Sequence, residues 1–195
     1  MKVDRVIKKS LKKRLPVRLI TRPEGEAYDG IVLKDGRDYV AMACVPDLKF
    51  DGLVILPKKY IRGFREGKFE KTLNEIIRSN GEIKKMKGPA WLLKCGEMKD
   101  VLRQLFERKI WPIVHVVFDK EKHSEMYIGP IMGGDEKQKA FTIRHYSATA
   151  KWKYKQFIYF RQVQMVQWGD NYSKIFNKFM QSQRRTGQAP KRDRF

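Results

Sequence analysis

Cysteine is scarce: Cys44 and Cys95 are the only two in 195 residues, and neither belongs to a C-x-x-C pair. That spacing excludes a disulfide framework, and two isolated thiols fit a reducing cytoplasm, the expected location. Long hydrophobic runs are missing too. Nowhere do 18 or more apolar residues follow one another, so no transmembrane helix is expected. The basic start, Met1 to Ile20, carries no apolar stretch long enough for a signal-peptide core. Acidic residues are outnumbered, 22 Asp and Glu against 43 Lys and Arg, a net charge of +21 at pH 7. Such an excess produces a positive field that attracts polyanions: nucleic acid first, anionic membranes or acidic proteins second.

Catalytic signatures are also lacking. The chain contains no G-x-x-x-x-G-K-[ST] loop, no H-E-x-x-H and no G-x-S-x-G. Of the three histidines, His115 alternates within the apolar run Ile113 to Phe118, His123 falls in the charged turn Asp119 to Glu125, and His145 follows Arg144 in a strand. Cys44, Cys95 and a histidine have no spacing that favours a metal. No catalytic residue, metal site or cofactor is therefore expected, and the chain reads as a non-enzyme.

What is present is a hydrophobic fraction of 42%, enough for packed cores, arranged in a pattern that occurs twice. Residues 4 to 77 return loosely between 100 and 180. Asp4…Leu15-Pro16-Val17 matches Asp100…Trp111-Pro112-Ile113, and Tyr28-Asp29-Gly30 matches Tyr127-Ile128-Gly129. At the ends, Phe69 to Ile77 aligns with Tyr172 to Met180. A period this long indicates two related small domains, not a solenoid.

Each half reads as helix, proline, strands, helix. Val3, Val6, Ile7, Leu11 and Leu15 recur at helical spacing, with Lys8, Lys9, Lys12 and Lys13 around the other side as a solvated face or a contact for phosphate or membrane. Strands are expected at Val17 to Ile20, Ala27 to Lys34, Asp38 to Val45, Leu53 to Leu56 and Tyr60 to Phe64. Asp35-Gly36 marks a hairpin in which positive φ is expected. A helix from Lys68 to Arg78 stops at Asn80-Gly81.

In the second half, Met98, Val101, Leu102, Leu105 and Phe106 predict the lead helix. Strands follow at Ile113 to Phe118, Met126 to Met132, Ala140 to Tyr146, Trp152 to Arg161 and Gln164 to Trp168, with Gly133-Gly134-Asp135 as the hairpin turn. Tyr172, Ile175, Phe176, Phe179 and Met180 predict a closing helix. The expected organisation is a first domain at 1–80, a basic Gly/Pro-containing connector at 81–97, a second domain at 98–183 and a basic disordered tail at 184–195.

Leu15-Pro16-Val17-Arg18-Leu19-Ile20, Tyr28-Asp29-Gly30-Ile31-Val32-Leu33 and Tyr60-Ile61-Arg62-Gly63 resemble the first strand, second strand and Ile-Arg-Gly motif of the Sm-like small β-barrels, a variant of the SH3-like barrel. The resemblance implies a mainly β fold of two tandem five-stranded Sm-like or SH3-like barrels, each preceded and followed by a short helix. It also implies the family's common properties, ring assembly and binding of uridine-rich single-stranded RNA. The family's RNA pocket does not carry over, because Lys34-Asp35-Gly36-Arg37-Asp38 lacks its Asn, and the second half lacks Arg-Gly. An extra helix after each barrel could also cover the edge strand used for ring assembly.

Two clusters are candidate nucleic-acid contacts. Lys58, Lys59, Arg62, Arg65 and Lys68, with Lys71, surround a helix start whose amides near Gly67 suit a phosphate. Lys151-Trp152-Lys153-Tyr154-Lys155, with Arg144 nearby, alternates cations and aromatics. In a regular strand the lysines would share one face and Trp152 and Tyr154 the other. The aromatics then either fill a barrel core or stack bases while lysines hold phosphates. The expected function is non-catalytic, sequence-tolerant binding of nucleic acid, RNA before DNA. The alternative is an adaptor that binds a protein.

Overall fold

Helix α1 (Lys2–Lys13) buries Val6, Ile7 and Ser10 rather than a purely apolar stripe. Ser10 donates its hydroxyl to Leu15 O at 2.7 Å and accepts the amide of Val32 at 3.0 Å. Leu11, expected inside, lies on the exposed shoulder of this face. The helix ends two residues ahead of Pro16, where Arg14 takes φ +50°. These details come from a computed structural model that describes residues 2–22, 25–118, 123–147 and 149–184, the side chains of 123, 183 and 184 excepted. Of the charged turn expected from Asp119 to Glu125, residues 119–122 and the side chain of His123 lie outside the described residues, as does the basic tail from residue 185 onward, while 123–125 open a strand instead.

The chain divides after Met98 into two units. Both are mainly β with flanking helices. In the first, β1 (Val17–Thr21), β2 (Ala27–Asp35), β3 (Tyr39–Cys44), β4 (Leu53–Pro57) and β5 (Ile61–Arg65) are ordered β5-β1-β2-β3-β4, each pair antiparallel. The strand β4 is buried throughout its length. The register of β2 on β3 shifts between Val32 and Lys34, and it is here that Ser10 takes up the Val32 amide. A bulge that would strand a donor is thereby satisfied from the helix.

The expected turn at Asp35-Gly36 exists, with a different cause. Gly36 has no positive φ. A Cβ there would lie 2.5 Å from the Tyr39 ring, so glycine makes room for a fully buried tyrosine.

Helix α2 (Lys68–Ser79) follows β5 and is stopped by Gly81 at φ +72°. The segment expected as a connector is built into this unit. Helix α3 (Ala90–Lys94) buries Leu92, Tyr39 donates to Cys95 O at 3.0 Å, and Arg14 donates to Met86 O at 2.8 Å.

The second unit carries α4 (Met98–Glu107), β6 (Ile113–Phe118), β7 (His123–Ile128), β8 (Ile131–Asp135), β9 (Ala140–Tyr146), β10 (Trp152–Tyr159), β11 (Val163–Trp168) and α5 (Asn171–Arg184). Within it the ladders run β11-β6-β7 and β10-β9-β8. The single strand expected from Met126 to Met132 is broken because Gly129 adopts φ +151° and Pro130 has no N–H to give a ladder. Gly133, Gly134 and Asp135 are strand, not turn. The reversal comes at 136–139, where Asp135 accepts the Gln138 amide at 3.0 Å and Lys139 takes φ +54°.

Neither set of strands closes on itself. In the first unit the three-residue 3-10 turn Lys58–Tyr60 after Pro57 sends β5 across to β1, so β4 and β5 are consecutive but unpaired with each other. In the second, the Gly129-Pro130 break separates two ladders where one continuous set of five strands is expected.

Candidate functional site

The strand β10 pairs with β9 and lies at the edge of its ladder. Trp152 opposes Tyr146 and Lys155 opposes Arg144, so three steps along β10 match two along β9. This bulge breaks the simple alternation expected of Lys151 to Lys155. Trp152 packs edge-on against Tyr146 (5.9 Å) and Trp111 (5.8 Å), while Tyr154 meets His145 edge-on at 5.4 Å. Because Tyr146 and His145 are successive strand residues, their side chains point to opposite faces. Trp152 and Tyr154 therefore lie on opposite faces, not on one.

The two aromatics have different surroundings. Trp152 belongs to a small core of Trp111, Ile113, Ile128, Tyr146 and Met180. Phe176 from α5 stacks on Tyr146 at 5.2 Å. Asn177 fastens the helix there, accepting from Tyr146 Oη at 2.7 Å and donating to Trp111 O at 2.9 Å. Tyr154 is 67% exposed, and Lys151, Lys153 and Lys155, its neighbours in sequence, are exposed too. The Arg144 guanidinium lies 5.5 Å over the Trp152 ring, and Arg144 Nε and Trp152 Nε1 are buried without a hydrogen-bond partner.

Behind Tyr154 lies a titratable group. His145 sits between Tyr154 and Tyr127, whose ring is 4.9 Å away, and Tyr127 donates its hydroxyl to Glu125. Burial pushes the His145 imidazole below its usual range, with Lys153 adding to the effect against Glu125. Burial and the Glu125 contact push the Tyr127 phenol up, so it stays a neutral donor.

The first-unit cluster is more heavily engaged. Lys58 pairs with Asp35 at 2.7 Å, Lys59 lies 4.6 Å over the Tyr60 ring, and Arg65 donates to Glu70 at 2.7 Å. Arg18 and Arg65 are cross-strand neighbours and both cover Phe69, at 5.7 and 4.9 Å. Burial pushes the Glu70 carboxyl up, but hydrogen bonds from Arg65 and the backbone amides of residues 70 and 67 outweigh it and hold the group below the usual carboxylate range. The amide of Gly67, expected to face a phosphate, donates to Glu70 at 2.7 Å. The helix start is thus closed by the chain's own carboxylate. Arg62 on β5 and Lys68 remain exposed. A cleft of about 620 Å³ beside this helix start is lined by Lys9, Lys68 and Lys71 but equally by Glu66, Glu70 and Glu75, so its charge does not select an anion.

Cys44 is half-buried and Cys95 buried, and the two are not joined in a disulfide. Among the described residues no group of three His, Cys, Asp or Glu is placed to hold a metal, and no helix is long and apolar enough to cross a membrane. Sequence reasoning placed Phe157, Tyr159 and Arg161 in the strand Trp152 to Arg161 without singling them out; Arg161 lies 5.1 Å over the Tyr159 ring. Period-two alternation through Gln156, Phe157, Ile158 and Tyr159 puts apolar residues on both faces, so it could not tell which face is covered. No protein-family model, curated protein or solved structure matches this chain.

Proposed function

We propose that the chain binds nucleic acid without catalysis and with little sequence preference, through cations and aromatics on its second unit together with its general positive charge. The observation that carries this reading is Tyr154, 67% exposed on an edge strand and flanked in sequence by exposed Lys153 and Lys155, in a chain of net charge +21. An exposed ring in a cation-rich strand suits base stacking with phosphate neutralisation. Arg62 and Lys68 are exposed cations of the first unit and contribute to its own positive charge. The preference for RNA over DNA rests on the Sm-like resemblance alone.

The same proposal takes both units as opened relatives of small Sm-like barrels. Support comes from the shared order of helix, antiparallel strands and helix, and from glycines at equivalent points of the two halves. A gel-shift experiment at low salt tests the function. Retardation of RNA by the wild type, weakened in K153A/K155A and Y154A, is the expected outcome, and no retardation of RNA or DNA overturns the reading.

One observation favours a second reading, an adaptor for a protein. Tyr172, Ile175 and Phe179 line one side of α5, and Ile175 is 70% exposed. A partner held there would survive high salt and be lost in I175D.

A further inference from the structure

Bulged pairing gives the far end of the β9–β10 hairpin an outer face unlike its inner one. Gln156 opposes Ile143 and Ile158 opposes Phe141, and Ile143, Ile158 and Phe141 are fully buried. On the other face Lys155 opposes Arg144, Phe157 opposes Thr142 and Tyr159 opposes Ala140. Phe157 and Tyr159 are 39% and 37% exposed and meet edge-to-face at 5.3 Å. Arg161 lies over the Tyr159 ring at 5.1 Å. The result is a short ledge of two rings with a cation at each end, Lys155 on one side and Arg161 on the other.

We infer that this ledge is a stacking site for single-stranded nucleic acid, separate from Tyr154, which lies on the opposite face of the strand. The inference rests on the nucleic-acid reading above and adds the residues that hold the bases. Charge complementarity selects the occupant: rings bracketed by cations, in a chain of net charge +21, suit bases joined by phosphates. A proline-rich peptide would use the rings and leave the cations idle. Spacing selects the strandedness. The centroids of the two rings stand 5.3 Å apart. Successive bases within a duplex strand rise only about 3.4 Å, and their faces are already stacked on one another. Only a chain free to unstack and extend places one base on each ring. The ring faces carry no sequence information, so the site tolerates any base.

The test measures fluorescence anisotropy of labelled oligonucleotides of about 15 nucleotides, within the site size of one small barrel domain, single-stranded and as a duplex. F157A/Y159A should lose at least about fivefold in single-strand affinity, with an unchanged salt slope because no charge is removed, and change little for the duplex. F157Y/Y159F keeps the rings and should bind like wild type, which separates stacking from a folding defect. Single-strand affinity unchanged in F157A/Y159A, with salt-dependent binding intact, overturns the ledge and leaves the basic-surface reading standing. Loss in F157Y/Y159F as deep as in the alanine variant overturns it too, as does ring-dependent capture of a proline-rich peptide without oligonucleotide binding. No binding of either oligonucleotide at low salt removes both.

Discussion

A Cβ built on Gly129 would lie 2.1 Å from the carbonyl oxygen of Arg144, and one on Gly30 would lie 2.1 Å from that of Ala43. The two glycines occupy matching places in the two halves, each after a tyrosine two residues earlier. Both halves thus place a glycine where a facing backbone carbonyl leaves no room for a Cβ. Replacing either glycine by alanine forces backbone against backbone. G129A carries the added strain of φ +151° and should lose about 2–4 kcal/mol, with G30A nearer the lower end. Urea unfolding of the two variants checks both values.

Ser10 gives a sharper stability test because only its hydroxyl is at issue. S10A removes the acceptor of the Val32 amide and leaves a buried donor unsatisfied, so it should cost about 1–3 kcal/mol. S10T, which keeps the hydroxyl, should recover part of the loss in the same urea titration.

Glu70 sets a pH dependence. Its folded carboxyl is held below the ordinary range, so its contribution is present above the unfolded value of about 4.3 and is lost as pH falls through the folded one. E70Q should therefore be less stable than wild type at neutral pH, and the gap should shrink on acidification below about pH 4. Thermal unfolding across that range reads it directly.

Trp152 and Tyr154, two residues apart, should behave as different kinds of position. W152A opens the small core beneath α5 and should destabilise by about 2–4 kcal/mol. Y154A should leave stability within about 0.5 kcal/mol and instead weaken oligonucleotide binding by about 1–3 kcal/mol. Equal effects on stability would contradict the assignment of the two rings to opposite faces.

Much of the fold is legible in the sequence because local chemistry specifies it. Val17, Asp35-Gly36, Lys68 and Gly81 mark element ends within a residue or two, since each is a local conformational choice. Features that depend on pairing are not legible. The bulge after Trp152 needs the partner strand, and so does the strand character of Gly133-Gly134, whose composition reads as a turn. The segment at 81–97 reads as a connector by its glycines but is too apolar at Trp91, Leu92 and Leu93 for a free linker, and Met86, Leu92 and Cys95 are indeed buried in the first unit. Arg65 looks like a free cation until Glu70, five residues on, turns back to meet it.

On the proposed function, this chain holds nucleic acid chiefly by its charge. The direct measurement is the affinity for a single-stranded RNA as salt rises from about 50 to 200 mM. The account predicts tight binding at the low end and a loss of at least about twentyfold across the range, as expected when three phosphates are neutralised on a single strand. An affinity that does not change with salt, or no binding at the low end, would contradict it.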